Sequence, residues 1–290
     1  MKKPLFTGVC TALVTPFLGQ EVNYPMLERL LQRQLDAGIR AIVVCGTTGE
    51  ASTLSDGEKL GIFKRAKSYV GKECLIIAGT GSNNTDHALH LSAEAEKCGV
   101  DGLLLVSPYY NKANPDGLVR HYTAIAQAVS LPMIIYNVPS RTGLDIPVSV
   151  YRQLAKLPNV AGVKEASSDI TKITKIRHAC KSEFPIWSGN DDQITPVISL
   201  GGSGVISVLS NVAPLETRLM AEAALDGDFD TASALQTELQ PLVEALFSDV
   251  NPIPVKAAMK LMGFDCGDCR LPLGALGADK LQQLKNVLLR

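Results

Sequence analysis

The 290-residue chain lacks a surplus of charge of either sign. It carries 28 lysines and arginines against 29 aspartates and glutamates, a formal net charge of −1. Proteins that bind nucleic acids through phosphate contacts usually carry a basic surplus, so this balance argues against a nucleic-acid partner. The contents of 46% hydrophobic and 20% charged residues are typical of a globular protein and exclude a disordered or fibrous one.

The chain also lacks an apolar run long enough to cross a membrane. No stretch reaches the roughly 18 residues that a spanning helix needs, and polar Thr7 and Gly8 interrupt any signal-like apolar core behind Lys2 and Lys3. The seven cysteines are odd in number and lie mostly in apolar segments, unlike those of a secreted disulfide framework. We therefore expect a soluble, cytoplasmic protein with no membrane partner.

The pattern of a metal site is missing as well. Cys266 and Cys269 have the spacing of metal ligands, but no second pair and no nearby histidine completes a set of four. The four histidines lie in segments with helical patterns, and only His87 and His90 share a face. We expect two reduced thiols in a turn and a mechanism that uses no metal.

Short apolar runs followed by amphipathic segments recur along the chain, and no linker divides it. Eight such runs occupy residues 9–14, 41–45, 75–78, 102–106, 133–136, 160–164, 186–188 and 204–208. Most are near-continuous in apolar residues, as parallel strands covered on both faces are. Eight strand–helix units predict an α/β fold, a (β/α)8 TIM barrel. An open doubly wound sheet would alternate in the same way, but the first run lacks the Gly-x-Gly-x-x-Gly turn that follows it in such folds.

Helical patterns surround and follow these runs. They cover residues 24–37, 55–70, 85–98 and 116–129 between runs, and 214–226, 229–249, 252–261 and 278–289 after the last run. Ser55 and Glu58 have the spacing of a capping box at the start of one helix. We predict a catalytic barrel in residues 1–225 and a C-terminal helical appendix in residues 226–290.

The active site of such a barrel forms at the carboxyl ends of its strands and in the loops that follow. The candidates there are Gly46-Thr47-Thr48-Gly49-Glu50, Ser107-Pro108-Tyr109-Tyr110-Asn111, Tyr136 with the loop from Asn137 to Gly143, Lys164-Glu165, and Gly189-Asn190-Asp191.

Lys164 ends the sixth run, so its side chain is predicted to point into the mouth of the barrel. Desolvation disfavours a charged lysine, and a neutral amine is the nucleophile that forms a Schiff base with a carbonyl. The alternative is a lysine paired with a carboxylate, such as Glu165 or a loop acid. Tyr136 on the neighbouring strand would exchange protons with the adduct, or would be an ordinary core tyrosine.

Two further strand-end groups could bind a carboxylate. The loop containing Thr47 and Thr48 offers backbone N–H groups and two hydroxyls, although tight turns of this composition are common. Arg141 is a planar donor suited to bidentate binding, or else a solvated surface arginine.

Five segments in this order resemble the dihydrodipicolinate synthase family, from about Phe6 to the C-terminal helices. They are Gly46-Thr47-Thr48-Gly49-Glu50, Pro108-Tyr109-Tyr110-Asn111, Tyr136-Asn137-Val138-Pro139-Ser140-Arg141-Thr142-Gly143, Gly162-Val163-Lys164-Glu165 and Asn251-Pro252-Ile253-Pro254-Val255-Lys256. The resemblance implies a class I aldolase-type lyase of bacterial lysine and diaminopimelate biosynthesis. Such an enzyme condenses pyruvate with L-aspartate 4-semialdehyde without a metal or organic cofactor.

The resemblance also implies a role for each matching residue. Lys164 forms the Schiff base with pyruvate, Tyr136 donates and accepts protons, Thr47 and Tyr110 complete the proton relay, Thr48 and the backbone of Ile206 hold pyruvate, and Arg141 meets the carboxylate of the second substrate. We place Gly189 among the substrate-binding residues too. Tyr110 would reach in from a neighbouring subunit, as in a homotetramer built from two tight dimers.

Two other functions remain open from the residues. N-acetylneuraminate lyase and 2-keto-3-deoxy-sugar-acid aldolase share the lysine, the tyrosine and pyruvate with the resembled family. Arg141, and Thr47 where sialic acid lyases typically have serine, favour the semialdehyde. A non-catalytic barrel that senses a small oxoacid is an alternative of another class, and the retained Lys164, Tyr136 and Thr47 count against it.

One departure from the family concerns inhibition by lysine. Inhibited members use a glutamate in the helix after a Gly-Thr-Gly-x-Asn segment. Here the segment 79–83 is followed by His87 at the glutamate position, and Asp56 stands where some inhibited members have histidine. Loss of that carboxylate removes a charge-assisted contact worth about 1.5–3 kcal/mol. We expect lysine to inhibit weakly or not at all.

Overall fold

The computed structural model describes residues 2–181 and 184–289, and a closed parallel barrel forms its centre. The ten strands are β1 (Gly8–Ala12), β2 (Phe17–Leu18), β3 (Glu21–Val22), β4 (Ala41–Val44), β5 (Leu75–Gly79), β6 (Gly102–Val106), β7 (Met133–Asn137), β8 (Val160–Glu165), β9 (Ile186–Ser188) and β10 (Gly204–Ser207). Strand β1 and strands β4 to β10 follow one another around the barrel, which closes where β10 pairs with β1. The predicted TIM barrel is confirmed, and the open sheet is excluded.

Twelve α-helices lie within the described ranges. They are α1 (Tyr24–Asp36), α2 (Asp56–Val70), α3 (Thr85–Lys97), α4 (Pro115–Ala128), α5 (Pro139–Thr142), α6 (Val148–Leu154), α7 (Ile170–Cys180), α8 (Ile194–Ser199), α9 (Pro214–Leu225), α10 (Phe229–Leu246), α11 (Ile253–Leu261) and α12 (Ala278–Leu288). Helices α1 to α9 follow the barrel strands, and α10 to α12 lie after them, in the residues predicted as a helical appendix. The short antiparallel hairpin of β2 and β3 was not predicted.

Apolar side chains form two layers. One fills the barrel and includes Cys10, Trp187 and Ile206, with Trp187 stacked on Phe6 at 4.8 Å between ring centroids. The other lies between the strands and the surrounding helices. Buried residues of α10, α11 and α12 belong to this second layer, so the appendix shares a core with the barrel. The division at residues 225 and 226 stays a prediction about how the chain is organised.

None of the described helices combines the length and the apolar composition that a bilayer span requires.

The start of α2 shows how a sequence signal determines a helix boundary and also ties the appendix to the barrel. Ser55 Oγ accepts a hydrogen bond from the Glu58 N–H at 3.3 Å, and the Glu58 carboxylate accepts one from the Ser55 N–H at 2.8 Å. This is the predicted capping box. Arg270, between α11 and α12, forms a salt bridge with the same carboxylate at 2.5 Å.

We predict that this carboxylate makes stability depend on acidity. Its hydrogen bond with Arg270 lowers the pKa of Glu58 to about 2, against about 4.3 for an unfolded glutamate. The contribution is therefore present above about pH 4.3 and disappears as the pH falls towards 2. Because the site is partly solvated, Glu58→Gln should lower the free energy of unfolding by about 1 kcal/mol at neutral pH.

Urea denaturation at several pH values measures this difference. It should shrink below about pH 4.3, whereas Glu73→Gln, at an exposed position in the loop after α2, should have almost no effect at any pH. A difference between wild type and Glu58→Gln that persists at the acid end would contradict the assignment.

Candidate active site

Lys164 and Tyr136 lie side by side at the mouth of the barrel. They are paired residues of β8 and β7, and both are buried, at 5% and 6% exposure. The Lys164 ammonium nitrogen lies 4.3 Å from the centroid of the Tyr136 ring. The structure thus brings together the two residues that the sequence analysis placed on neighbouring strands.

Lys164 differs from the other buried lysines in having no carboxylate partner. Of the four buried lysines in the described ranges, Lys59, Lys172 and Lys256 form salt bridges. Lys164 forms neither a salt bridge nor a hydrogen bond with any residue in those ranges. The ion-pair alternative for Lys164 therefore loses its main support.

Glu165, the acid considered as a partner for Lys164, has other partners on the opposite face of β8. Its carboxylate accepts hydrogen bonds from Asn137 Nδ2 at 2.8 Å and from the Tyr151 hydroxyl at 3.2 Å, and lies 3.7 Å from Lys172 Nζ. Side chains alternate between the two faces of a strand. The network around Glu165 therefore supports β7 and β8 from outside the barrel and leaves Lys164 free within it.

The loop with Thr47 and Thr48 has strained backbone at both ends. Cys45 and Glu50 have positive φ values of 53° and 56°, a region of backbone conformation that residues other than glycine rarely adopt. Such conformations persist only where surrounding contacts hold them. The Gly49 carbonyl accepts a hydrogen bond from Thr15 Oγ1 at 2.7 Å, which is one such contact.

A buried ion pair from the appendix anchors the end of this loop. Lys256 Nζ lies 2.8 Å from Glu50 Oε1, and the side chains are 3% and 0% exposed. The backbone N–H of Arg270 donates to the other carboxylate oxygen at 2.8 Å. We call Glu50, Lys256 and Arg270 the loop anchor. It connects the C-terminal helical region to the loop that carries Thr47 and Thr48.

A cavity of about 520 Å³ opens beside these residues. It is lined by Thr47, Tyr136, Arg141, Asn251 and residues of α2 and α3. Asn251 Nδ2 donates to Thr48 Oγ1 at 3.0 Å, and Arg141 donates to the Asn251 carbonyl at 3.2 Å. Asn251 Oδ1 is buried and has no hydrogen-bond partner among the described residues. The cavity therefore combines a cation with hydroxyl groups.

The other predicted site residues differ in their placement. A Cβ on Gly189 would lie 3.1 Å from Lys164 Cε, so the absence of a side chain there makes room for the lysine. Ile206 is buried inside the barrel on β10. Tyr110 is not brought to the site within this chain, because its side chain is 90% exposed, and Tyr109 lines the cavity instead.

Two cysteines near the site are poor competitors for the role of nucleophile. Cys10 and Cys45 are buried, and burial raises the pKa of both thiols. A thiol must ionise to attack or to ligate a metal. Lys164 is therefore the better nucleophile of the site.

The region expected to bind an effector contains a direct contact between His87 and Asp56. His87 Nε2 lies 2.9 Å from the Asp56 carboxylate, and Lys59 Nζ lies 3.6 Å from it. Although burial opposes it, the hydrogen bond with His87 holds the pKa of Asp56 below its usual range. The one acid at this position is thus already engaged by two basic side chains.

Asn251 and Lys256 were not predicted as parts of the site, although both lie in one of the five segments that resemble the family. Their partners Thr48 and Glu50 lie 203 and 206 residues earlier in the chain. No local spacing signals a contact over such a distance. The unusual signal was compositional, namely a lysine in an apolar helix that starts with two prolines.

The chain is similar over nearly its whole length to proteins that are already known. A model of the dihydrodipicolinate synthetase family matches residues 5–290. A 4-hydroxy-tetrahydrodipicolinate synthase of Thermoanaerobacter sp. (strain X514) is 48% identical over 286 residues, which cover 98% of this chain and 96% of that protein.

Solved structures agree with this similarity. DHDPS from Cyanidioschyzon merolae with lysine bound matches with a TM-score of 0.96 and 41% identity, over 99% of this chain and 98% of that one. The chloride-inhibited dihydrodipicolinate synthase from Acinetobacter baumannii complexed with pyruvate matches with a TM-score of 0.96 and 39% identity, over 98% of each chain.

We predict that the loop anchor is needed both for stability and for turnover. Lys256→Met leaves the Glu50 carboxylate buried without a counter-charge, which should lower the free energy of unfolding by about 3 kcal/mol. Turnover should fall as well, because Thr47 and Thr48 lose their support. Urea denaturation and initial rates measure the two effects.

The double variant Glu50→Gln/Lys256→Met should cost less stability than the sum of its two single variants, since neither group is then left charged and alone. Lys260→Met, an exposed position on the same helix, is the matched control and should change stability by less than about 0.5 kcal/mol. Strict additivity of the two single variants would argue against the anchor.

Proposed function

Because the chain belongs to the dihydrodipicolinate synthetase family and has the lyase activity of a 4-hydroxy-tetrahydrodipicolinate synthase, we propose that Lys164 carries this reaction as a Schiff base with pyruvate. Family membership favours this activity over the sugar-acid lyases, and an enzyme over a sensor. The observation that carries the assignment of Lys164 is its burial without the carboxylate partner that the other buried lysines have.

The first half of the proposed reaction takes place at the Lys164 nitrogen. The neutral amine attacks the keto carbon of pyruvate, and the carbonyl oxygen leaves as water when the C=N bond of the iminium forms. The iminium then withdraws electrons from the methyl group, which loses a proton and becomes an enamine. Tyr136 is the group adjacent to the nitrogen that can supply the proton for the departing water and recover one afterwards.

The second half joins the enamine to L-aspartate 4-semialdehyde. The enamine carbon attacks the aldehyde carbon, and the new alkoxide takes up a proton. The substrate's amino group then attacks the iminium carbon and displaces Lys164, which closes the ring. Arg141, on the rim of the cavity, would bind the carboxylate of the second substrate.

Pyruvate itself would be held by groups near Lys164. Thr48 and the backbone of Ile206 are the proposed contacts, and Gly189 leaves the space next to the lysine that a small oxoacid needs. Thr47 lines the same cavity as Tyr136 and would pass protons. The proposal involves no metal and no organic cofactor.

The proton relay requires a second subunit. Tyr110 is 90% exposed, so within one chain its hydroxyl is free to reach another subunit. We propose that Tyr110 of the partner subunit completes the site and that the enzyme is a homotetramer. All seven cysteines are free, which fits the proposed cytoplasmic location, where thiols stay reduced.

Borohydride trapping with pyruvate tests the proposal. Reduction of the iminium makes the bond permanent, so peptide mass mapping of the wild-type enzyme should find the adduct on Lys164. Lys164→Arg keeps a positive charge but cannot form the adduct, and should lose both trapping and turnover. Lys156→Arg, at an exposed site, should retain both. Absence of the adduct, or its presence on another lysine, would show that the mechanism is wrong.

We also predict weak inhibition by lysine. Asp56 is engaged by His87 and Lys59, so it offers little attraction to the ammonium groups of an effector, and His87 replaces the family's carboxylate. Initial rates should change little with millimolar L-lysine. His87→Glu should increase sensitivity because it restores a negative charge, whereas His90→Glu on the exposed side of the same helix should not. Strong inhibition of the wild type at sub-millimolar lysine would contradict this.

A further inference from the structure

A buried aspartate between the ends of two strands has no part in the reaction as described so far. Asp191 follows β9, two residues after Gly189, and is 2% exposed. Its backbone carbonyl accepts a hydrogen bond from Gln236 of α10 at 2.9 Å, which fixes its position in the fold.

The Asp191 carboxylate is bound asymmetrically. Oδ2 accepts hydrogen bonds from the N–H groups of Val208 at 3.0 Å and Leu209 at 2.9 Å, in the turn that follows β10. Oδ1 is buried and has no hydrogen-bond partner among the described residues. Two backbone donors on one oxygen favour the ionised form. The turn after β10 therefore holds the Asp191 carboxyl group through one of its two oxygens.

Asp191 follows the barrel strand that neighbours the strand of Lys164. Lys164 pairs with Trp187 and Glu165 pairs with Ser188, so β8 and β9 end together, and Gly189 packs against the Lys164 side chain. Burial raises the pKa of Asp191, although the hydrogen bonds from the Leu209 and Val208 N–H groups and the charge of Lys164 act in the opposite direction. Two other titratable groups face Lys164, Tyr136 on β7 and Cys10 on β1, whose pKa is raised by burial.

We propose that Asp191 is a positioning residue whose negative charge stabilises the cationic Schiff base nitrogen at Lys164. The inference rests on the proposed function, because it requires the iminium. The adduct creates a positive charge in a site where Lys164 has no salt-bridge partner, and Asp191 offsets that charge without touching pyruvate. It also holds the turn after β10, next to the Ile206 backbone.

The proposed role has a specific pH signature. Where the free lysine is protonated, free enzyme and adduct both carry the positive charge, and Asp191 favours neither. Where the free lysine is neutral, only the adduct is charged, and Asp191 favours it. Loss of the negative charge should therefore leave the affinity for pyruvate unchanged at low pH and weaken it at high pH.

Asp191→Asn tests this inference, since the amide oxygen can still accept both N–H groups. The dissociation constant of pyruvate should be measured by calorimetry across the pH range in which affinity falls with rising pH. We expect that fall to begin about one unit lower than in the wild type, so that binding becomes about tenfold weaker at the alkaline end and equal at the acid end. Asp192→Asn, the exposed neighbour, is the matched control and should follow the wild type.

The outcomes separate the possible explanations. A purely structural role for Asp191 would weaken binding by the same factor at every pH, and that result, or an unchanged profile, would overturn the inference. Asp191→Ser is smaller and also neutral, so the same signature must appear in whichever of the two variants is folded. If the wild type itself gives no borohydride adduct at Lys164, the proposed function fails. If the wild type gives a normal adduct but the ratio of the variant and wild-type dissociation constants does not change with pH, only the role of Asp191 is wrong.

Discussion

The hydrogen-bonded seam between β1 and β10 is the constraint on which the rest of the structure depends, because it turns a sheet into a barrel. Gly8 pairs with Gly204 at this seam. A Cβ on Gly204 would lie 1.9 Å from the Gly8 carbonyl oxygen, at a φ of +143° that favours glycine. The two strands can approach this closely only because Gly204 has no side chain. Closure leaves no exposed edge in the barrel sheet and directs all eight carboxyl ends to one mouth.

Closure also determines which side chains are reactive. Neighbouring residues of a strand point to opposite faces, so Tyr136 and Lys164 face the inside while Asn137 and Glu165 face the surrounding helices. The outer glutamate pairs with Lys172, whereas the inner lysine has no salt bridge within the described ranges. A shift of one residue in register would exchange these environments. Strand register therefore determines whether each of these side chains lies inside the barrel or against the surrounding helices.

Local patterns predict the fold well, because the periodicity of apolar residues reflects which face of each element is buried. The eight runs, the capping box at Ser55 and the end of α9 near residue 225 follow from residues close together in the chain. The hairpin of β2 and β3 escaped because each strand has two residues, too few for a pattern. At the site, strand-end position predicts that Lys164 and Tyr136 lie together, as the structure places them, while Asn251 and Lys256 depend on contacts over about 200 residues.

Buried lysines illustrate why the remaining part of the site needs three-dimensional information. Lys164 and Lys256 both occur in apolar segments and both are buried, so no rule based on sequence neighbours tells them apart. The difference is the partner, since Glu50 neutralises Lys256 whereas Lys164 has no salt bridge within the described ranges. The paired lysine links α11 to the loop that carries Thr47 and Thr48, and the unpaired lysine lies at the mouth of the barrel. Because Lys256 comes from α11, the barrel strands alone do not supply the contacts that hold this loop, and the C-terminal helices take part in building the mouth of the barrel.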